Sequence, residues 1–336
     1  MPVTMNDVAR VAGVSAMTVS NVLTGRRVVS DATRERVEAA AEQLGYALNL
    51  TARHLRAGRT NTIALVIPNL DHPYFGELAA RFDRLLRSTG RHLVVEQTGS
   101  RREAELSALN VARLRLYDGV LLSVVGMRSE EIATLRSDMP VVILGEQDVS
   151  NRFDHVGMDN VGGARIATSH LLSRGSRRIL ILGGAPEGDD ASGMSLARTN
   201  GWRQAHHDAG MTPEDDLIIP LEIPSAEHGH ATILRLVRDG FAFDGVFTVT
   251  DTLATGVLAG LSESGRRVPE DVQVVGFDSL DGSRFTVPPL TTIDPGHEEM
   301  ATEALRLLDR LIERDEGAPR ERVKPPARLI RRGSTR

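Results

Sequence analysis

The stretch TMNDVARVAGVSAMTVSNVL, residues 4–23, reads as two short helices joined by the corner Gly13-Val14-Ser15. Thr4 is placed to cap the first helix, with Asp7 at its third position, and Val8, Ala9, Val11 and Ala12 make one apolar face. Ser15 suits the cap of the second helix. Val19, Val22 and Leu23 then point inward, and Ala16, Met17, Thr18, Ser20 and Asn21 stay outside as a small, polar face that suits a groove. Taken alone, the pattern also describes a plain helical hairpin with capped ends. A third amphipathic helix after Ser30 and Asp31, through Val37, Ala40, Ala41 and Leu44 to Gly45-Tyr46, makes a minimal three-helix head.

Charge separates this head from the rest. Residues 1–59 hold eight Arg against five acids, a balance of +3, whereas residues 60–336 carry 32 basic and 40 acidic residues, a balance of −8. A basic head on an acidic body is the asymmetry expected where one end meets phosphates and the other does not. The length, 336 residues, and 41% hydrophobic content suggest two or three globular domains. No run of about 18 apolar residues is present and the N-terminus lacks the apolar core of a secretory signal, so a cytoplasmic protein with no membrane segment is expected. With no Cys, disulfides, thiolate metal sites and cysteine nucleophiles are excluded. Of the basic residues only Lys324 is Lys.

From Thr62 the texture changes to short apolar runs between longer helical patterns. TIALVI (62–67), HLVVEQ (92–97), GVLLSV (119–124) and VVIL (141–144) alternate with amphipathic stretches near 74–89, 102–116 and 129–137. A second series follows, HVGM (155–158), RILIL (178–182), LIIP (217–220), GVFTV (245–249) and VQVVGF (272–277). Runs apolar on both faces imply parallel sheets covered by helices, so two lobes are expected with a ligand cleft beyond the carboxyl ends of their strands. The intervening LNLTARHLRAGRT (48–60) has helical spacing, with Ala52 and Leu55 on one side and Arg53, Arg56 and Arg59 available to phosphates. It reads either as a basic linker or as a hinge helix that folds on DNA.

The head, the hinge-like NLTARHL and, through the body, IPNLDHPYFGEL, DGVLLS, VGMDNVGGARIATSHLLSRGSRRILILGG, RTNGW, SESGRRVPEDVQVVGFDS, PPLTTI and LIRRGSTR together resemble the lactose/galactose repressor (LacI/GalR) family of bacterial transcription regulators. The resemblance covers essentially the whole chain. It implies an all-α helix-turn-helix head plus hinge helix joined to a two-lobed α/β, periplasmic-binding-protein-like effector domain with parallel sheets. The corresponding divisions are 1–47, 48–60 and 61–336, with lobe 1 at about 61–160 and 292–320 and lobe 2 at about 161–291 and 321–332.

By position, the resemblance places Thr4, Asn6, Ser15, Ala16, Met17, Thr18, Ser20 and Asn21 at base or backbone contacts in the major groove, with Thr24, Ser30, Thr33 and Tyr46 at flanking backbone contacts. It puts Asn49, Ala52, Arg53 and Leu55 in the minor groove, Leu55 as the wedge that kinks the operator. The implied partners are double-stranded operator DNA, a second copy of the chain, and a sugar or related small molecule held by His72, Tyr74, Phe75, Asp159, Arg198, Thr250, Asp251 and Asp278. His72, Thr250 and Pro295 depart from the commonest sugar-binding pattern of the family. The close at LIRRGSTR, without further heptads, points to a dimer rather than a tetramer.

No cofactor, metal or enzymatic activity is expected. His228-Gly-His230 lacks a third ligand, His297-Glu-Glu lacks the second His of a zinc-protease helix, Gly183-Gly184 lacks the dinucleotide fingerprint, and GMSLA (193–197) is not a nucleophile elbow. A transport solute-binding protein is disfavoured by the basic head, and an NAD-dependent enzyme by the missing glycine-rich loop.

Overall fold

The structure, a computed structural model, describes residues 3–24, 29–46, 59–109, 116–127, 131–132, 139–146, 152–186, 193–313 and 319–336. The hinge positions Asn49, Ala52, Arg53 and Leu55, the side chain of Thr24 and most of the helical stretch expected at 129–137 lie outside the described residues. The chain forms two compact units, residues 1–60 and 61–336.

The first unit holds α1 (Met5–Ala12), α2 (Ala16–Thr24) and α3 (Asp31–Gln43). Thr4 Oγ1 accepts from Asp7 N at 3.3 Å while Asp7 Oδ2 accepts from Thr4 N at 3.0 Å, the reciprocal cap anticipated from the sequence. Gly13 ends α1 at φ +64°, a left-handed corner where glycine carries no Cβ penalty. Val8, Ala9, Ala12, Val19, Val22, Val37, Ala40 and Ala41 are the buried core. Two assignments shift. Val11 is 46% exposed rather than part of the apolar face, and Ala16 is half-buried, packing in part against the core.

The second unit contains two six-stranded sheets. The first takes β1 (Thr62–Ile67), β2 (His92–Gln97), β3 (Gly119–Ser123), β4 (Val141–Leu144), β5 (Asp154–Val156) and β11 (Arg322–Val323) in the order β11-β5-β4-β3-β1-β2, all parallel. The second takes β6 (Ile179–Leu182), β7 (Ile218–Ile219), β8 (Gly245–Thr248), β9 (Gln273–Phe277), β10 (Thr291–Asp294) and β12 (Arg328–Ile330) in the order β12-β10-β9-β8-β6-β7. Only its β12, on β10, is antiparallel. β3 and β4 are buried along their whole length, as strands covered on both faces must be.

Helices pack between the strands: α4 (Pro73–Arg87), α5 (Arg102–Ala108) and α10 (His297–Ile312) on the first sheet, and α6 (Asn160–Ser173), α7 (Gly193–Asp208), α8 (Ala226–Arg238) and α9 (Asp251–Glu263) on the second. The chain passes between lobes at residues 157–159, 295–296 and 324–327. The lobe boundaries read from the sequence move accordingly. HVGM contributes a strand to the first sheet, not the second series. Thr291–Asp294 belongs to the second sheet, and Arg322–Val323 to the first, because each strand is claimed by the lobe it hydrogen-bonds. Gly296, at φ +84°, lets the second and third crossings touch: a Cβ there would stand 2.8 Å from Pro325.

Candidate functional site

In both sheets the strand order reverses between the first and third strands, β1 and β3 in one lobe, β6 and β8 in the other. Open α/β sheets bind ligands beyond the strand ends at such points. The segments that follow β1 and β8 carry His72, Tyr74 and Phe75 on one side and Thr250 and Asp251 on the other.

The first lobe supplies rings. Pro73 opens α4, and the rings of His72, Tyr74 and Phe75 meet edge-on, with Tyr74 and Phe75 centroids 4.8 Å apart. His297, the first residue of α10, stands 5.3 Å from Tyr74. Burial is the main cause of all three shifts here: the Tyr74 hydroxyl is pushed up, and the His72 and His297 imidazoles down, His297 to about 4. His297 Nε2 lies 2.6 Å from the Asp278 carbonyl.

The second lobe supplies charge. Arg198, from the middle of α7, is 2% exposed. Its Nε donates to Asn160 Oδ1 at 2.8 Å, its Nη1 to the Val249 carbonyl, and its guanidinium lies 3.5 Å from the centre of the Phe277 ring. Nη2 is 3.7 Å from Asp278 Oδ1, in a pair buried from solvent on both sides. Burial pushes the Asp278 carboxyl up to about 8, with Arg198 opposing it. Asp278 holds φ +106°, outside the comfortable range of an L-residue, and is anchored by its amide to the Ile293 carbonyl at 2.9 Å.

The remaining expected residues carry hydrogen bonds within the walls. Asp159 caps α6, accepting from Gly162 N at 2.9 Å, and Thr250 caps α9, accepting from Leu253 N at 3.2 Å. The Asp251 carboxylate, 1% exposed, is filled by Leu280 N at 2.8 Å and by the hydroxyls of Ser283 and Thr292. Burial raises its pKa to about 6, and those bonds oppose the shift. Asp251 therefore fixes the loop that presents Asp278. Glu77 of α4 accepts from Asp281 N at 2.9 Å, joining that loop to the first lobe.

Sequence reasoning did not single out Asn160, Glu146 or Glu77, or give His297 a place in the cleft. Glu146 stands two residues past the end of β4 and Asn160 follows Asp159, so position at a strand's carboxyl end was the available signal. His228 and His230 are engaged by Ser225 and Glu263, and no metal-ligating cluster occurs among the described residues. None of the described helices is long and apolar enough to cross a membrane.

On the headpiece, Thr4, Asn6, Ser15, Met17 and Ser30 are exposed, and Thr18, Ser20, Asn21, Thr33 and Tyr46 are half-buried. Thr18 N donates to Ser15 Oγ at 3.1 Å, capping α2, and the Ser30 and Thr33 hydroxyls lie 2.8 Å apart. Met17, 70% exposed, is the most prominent apolar side chain of α2.

Residues 4–49 match the family model "Bacterial regulatory proteins, lacI family", and residues 168–335 match "Periplasmic binding protein-like domain". The HTH-type transcriptional regulator DegA of Bacillus subtilis is 30% identical over 342 residues, covering 100% of this chain and 99% of its own. The lac repressor dimer bound to operator and the anti-inducer ONPF superposes with a TM-score of 0.82 at 26% identity, covering 100% of this chain and 99% of that one. The transcriptional regulator CelR in its cellobiose complex gives a TM-score of 0.71 at 30% identity, with 99% of each chain covered.

Proposed function

The chain belongs to the LacI family of bacterial regulatory proteins, and from that premise we propose that it is a repressor that binds a near-palindromic operator as a homodimer under the control of a small-molecule effector, a sugar or sugar derivative. The observation that carries the DNA reading is the headpiece itself. A capped α1, a glycine corner and a Ser15-capped α2 present Ser15, Met17, Thr18, Ser20 and Asn21 on one face. That face, with Thr4, Asn6 and Ala16, lies in the major groove, and Thr24, Ser30, Thr33 and Tyr46 meet the flanking backbone. Asn49, Ala52, Arg53 and Leu55 enter the minor groove between half-sites. The lac repressor dimer on its operator supports the paired arrangement, and two symmetric heads require a symmetric site. The protein acts in the cytoplasm.

The effector sits in the cleft, where the rings of His72, Tyr74 and Phe75 cover its apolar face and Arg198 and Asp278 bond its polar groups. Asp159, Thr250 and Asp251 position that wall. The cellobiose complex of CelR supports a saccharide as effector. By binding one lobe geometry better than the other, the effector alters the spacing of the two heads.

A gel-shift selection from random duplexes at two salt concentrations tests the proposal. Sequence-selective binding that weakens steeply with salt is expected. Equal retention of all sequences would overturn it.

A further inference from the structure

The helices of the headpiece divide charge between them unequally. α2 spells AMTVSNVLT and holds no charged side chain, whereas Arg10 stands on α1 and Arg34 and Arg36 on α3. Arginine on phosphate positions a protein on DNA without reading its sequence, so the uncharged side chains that α2 brings to the groove carry the reading. Most of the helix is already committed. Ala16 packs partly on the core, to which Val19 and Val22 belong. The Ser15 hydroxyl accepts from Thr18 N at 3.1 Å and lies 2.9 Å from Thr18 Oγ1, so this pair closes the start of the helix, and Ser20 is engaged as well. Met17 and Asn21 are left. Met17 is 70% exposed, and the Asn21 amide makes no hydrogen bond with the described residues.

The two stand four residues apart in one helix and therefore share a face, separated by about 6 Å along the axis. That distance spans about two base-pair steps of about 3.4 Å. Guanine is read by the paired donors of Arg or Lys and cytosine by an acidic acceptor, and α2 has neither. An asparagine amide holds a donor and an acceptor side by side, the complement of adenine N7 and N6–H. A flexible thioether chain matches the C5 methyl of thymine.

Resting on the headpiece as the operator-binding face, we infer that Asn21 and Met17 are the specificity pair of this chain: the amide bonds an adenine edge and the thioether packs on a thymine methyl within about two steps of it. α2 then reads both positions as A·T pairs and reads no guanine.

The test begins with the full-length protein selecting its site from random duplexes. The selected duplex is rebuilt with 7-deazaadenine for adenine, which removes the N7 acceptor, and with deoxyuridine for thymidine, which removes the methyl. For the wild type, 7-deazaadenine at the Asn21 position should weaken binding about three- to tenfold and deoxyuridine at the Met17 position about fourfold. Asn21→Ala should weaken binding to the selected site about five- to a hundredfold and no longer distinguish 7-deazaadenine, while Met17→Ala should no longer distinguish uracil from thymine. Both variants should keep the wild-type affinity and salt slope on unrelated duplex, which a damaged headpiece would lose. Asn21→Arg should move the selected base from adenine to guanine. If a variant fails to fold, the analogue duplexes with the wild-type protein decide. Guanine at the position that Asn21→Ala ceases to discriminate, or analogue duplexes bound by the wild type as tightly as the natural one, overturns the inference and leaves the repressor reading standing. Absence of any sequence selectivity in the wild type overturns both.

Discussion

The two lobes share one strand order yet furnish the cleft with different walls. The first contributes aromatic rings at the start of a helix, His72, Tyr74 and Phe75, with His297 behind them. The second contributes a buried guanidinium, Arg198, and a carboxyl held at a strained turn, Asp278, each built into the fold by its neighbours. A ring wall tolerates displacement because stacking is broad in geometry. A charge wall does not, because a buried charge that loses its partner keeps its desolvation cost.

The largest effect should therefore come from Arg198→Ala. It strands Asp278 and should destabilise the effector domain by about 3–5 kcal/mol in urea unfolding, with the effector's thermal shift abolished. Arg198→Met sharpens the contrast, since it restores volume beside Phe277 without charge. Recovery of stability without recovery of binding is expected, and recovery of both would remove the distinction between the walls.

Asp251→Ala should rank second. Releasing Leu280 N, Ser283 Oγ and Thr292 Oγ1 from their acceptor should cost about 2–3 kcal/mol and displace Asp278, so effector affinity falls although Asp251 touches no ligand. Asp251→Asn, which keeps part of the bonding, should fall between. Unchanged affinity in the alanine variant would show that Asp278 holds its turn without this support.

How far the cleft could be read from sequence differs between the walls in the same way. The ring wall follows a single strand, and TIALVI with the DHPYF that comes after it places it almost to the residue. The charge wall is assembled from segments as distant as Asn160, Arg198, Val249 and Asp278, and no local pattern tells whether a strand-end acid faces a ligand or braces a loop. Asp251 illustrates this: it stands next to Thr250 at the end of β8, as a ligand residue would, but Ser283 and Thr292, some thirty to forty residues on, take its oxygens. The headpiece was the most legible part, because its caps act over three residues and Gly13 marks its own corner. Ala16 and Val11 were misplaced there since a turn of a short helix rotates freely in a periodicity argument.

Tyr74→Ala tests the ring wall at smaller cost. The ring is half-buried and packs on Phe75, His72 and His297, so about 1–2 kcal/mol of stability and about tenfold in effector affinity are expected from lost apolar contact. Tyr74→Phe keeps the ring and should retain most of both. A Phe variant as damaged as Ala would make the hydroxyl, not the ring, the contact.

The effect of pH is a difference between the walls, because they respond in opposite directions. His297 on the ring side has its pKa pulled below the ordinary imidazole value, to about 4, so the folded state binds that proton less tightly than the unfolded chain. Its contribution is complete above about pH 6.5 and is lost as the pH falls toward 4. Asp251 and Asp278 are pushed up, to about 6 and about 8, so the folded state holds their protons more tightly. Their contribution is complete below about pH 4 and is lost as the pH rises through 6 and then 8. Between pH 4 and 6.5 the slopes oppose, and the one imidazole offsets about half of the loss from the two carboxyls, so wild-type stability should still fall across this range. Variants separate them: His297→Gln should leave a domain whose stability falls monotonically from pH 4 to 8, and Asp278→Asn one whose loss above pH 6 is shallower than wild type. If urea midpoints across that range show the same slope in both variants, the cleft has one electrostatic environment and not two.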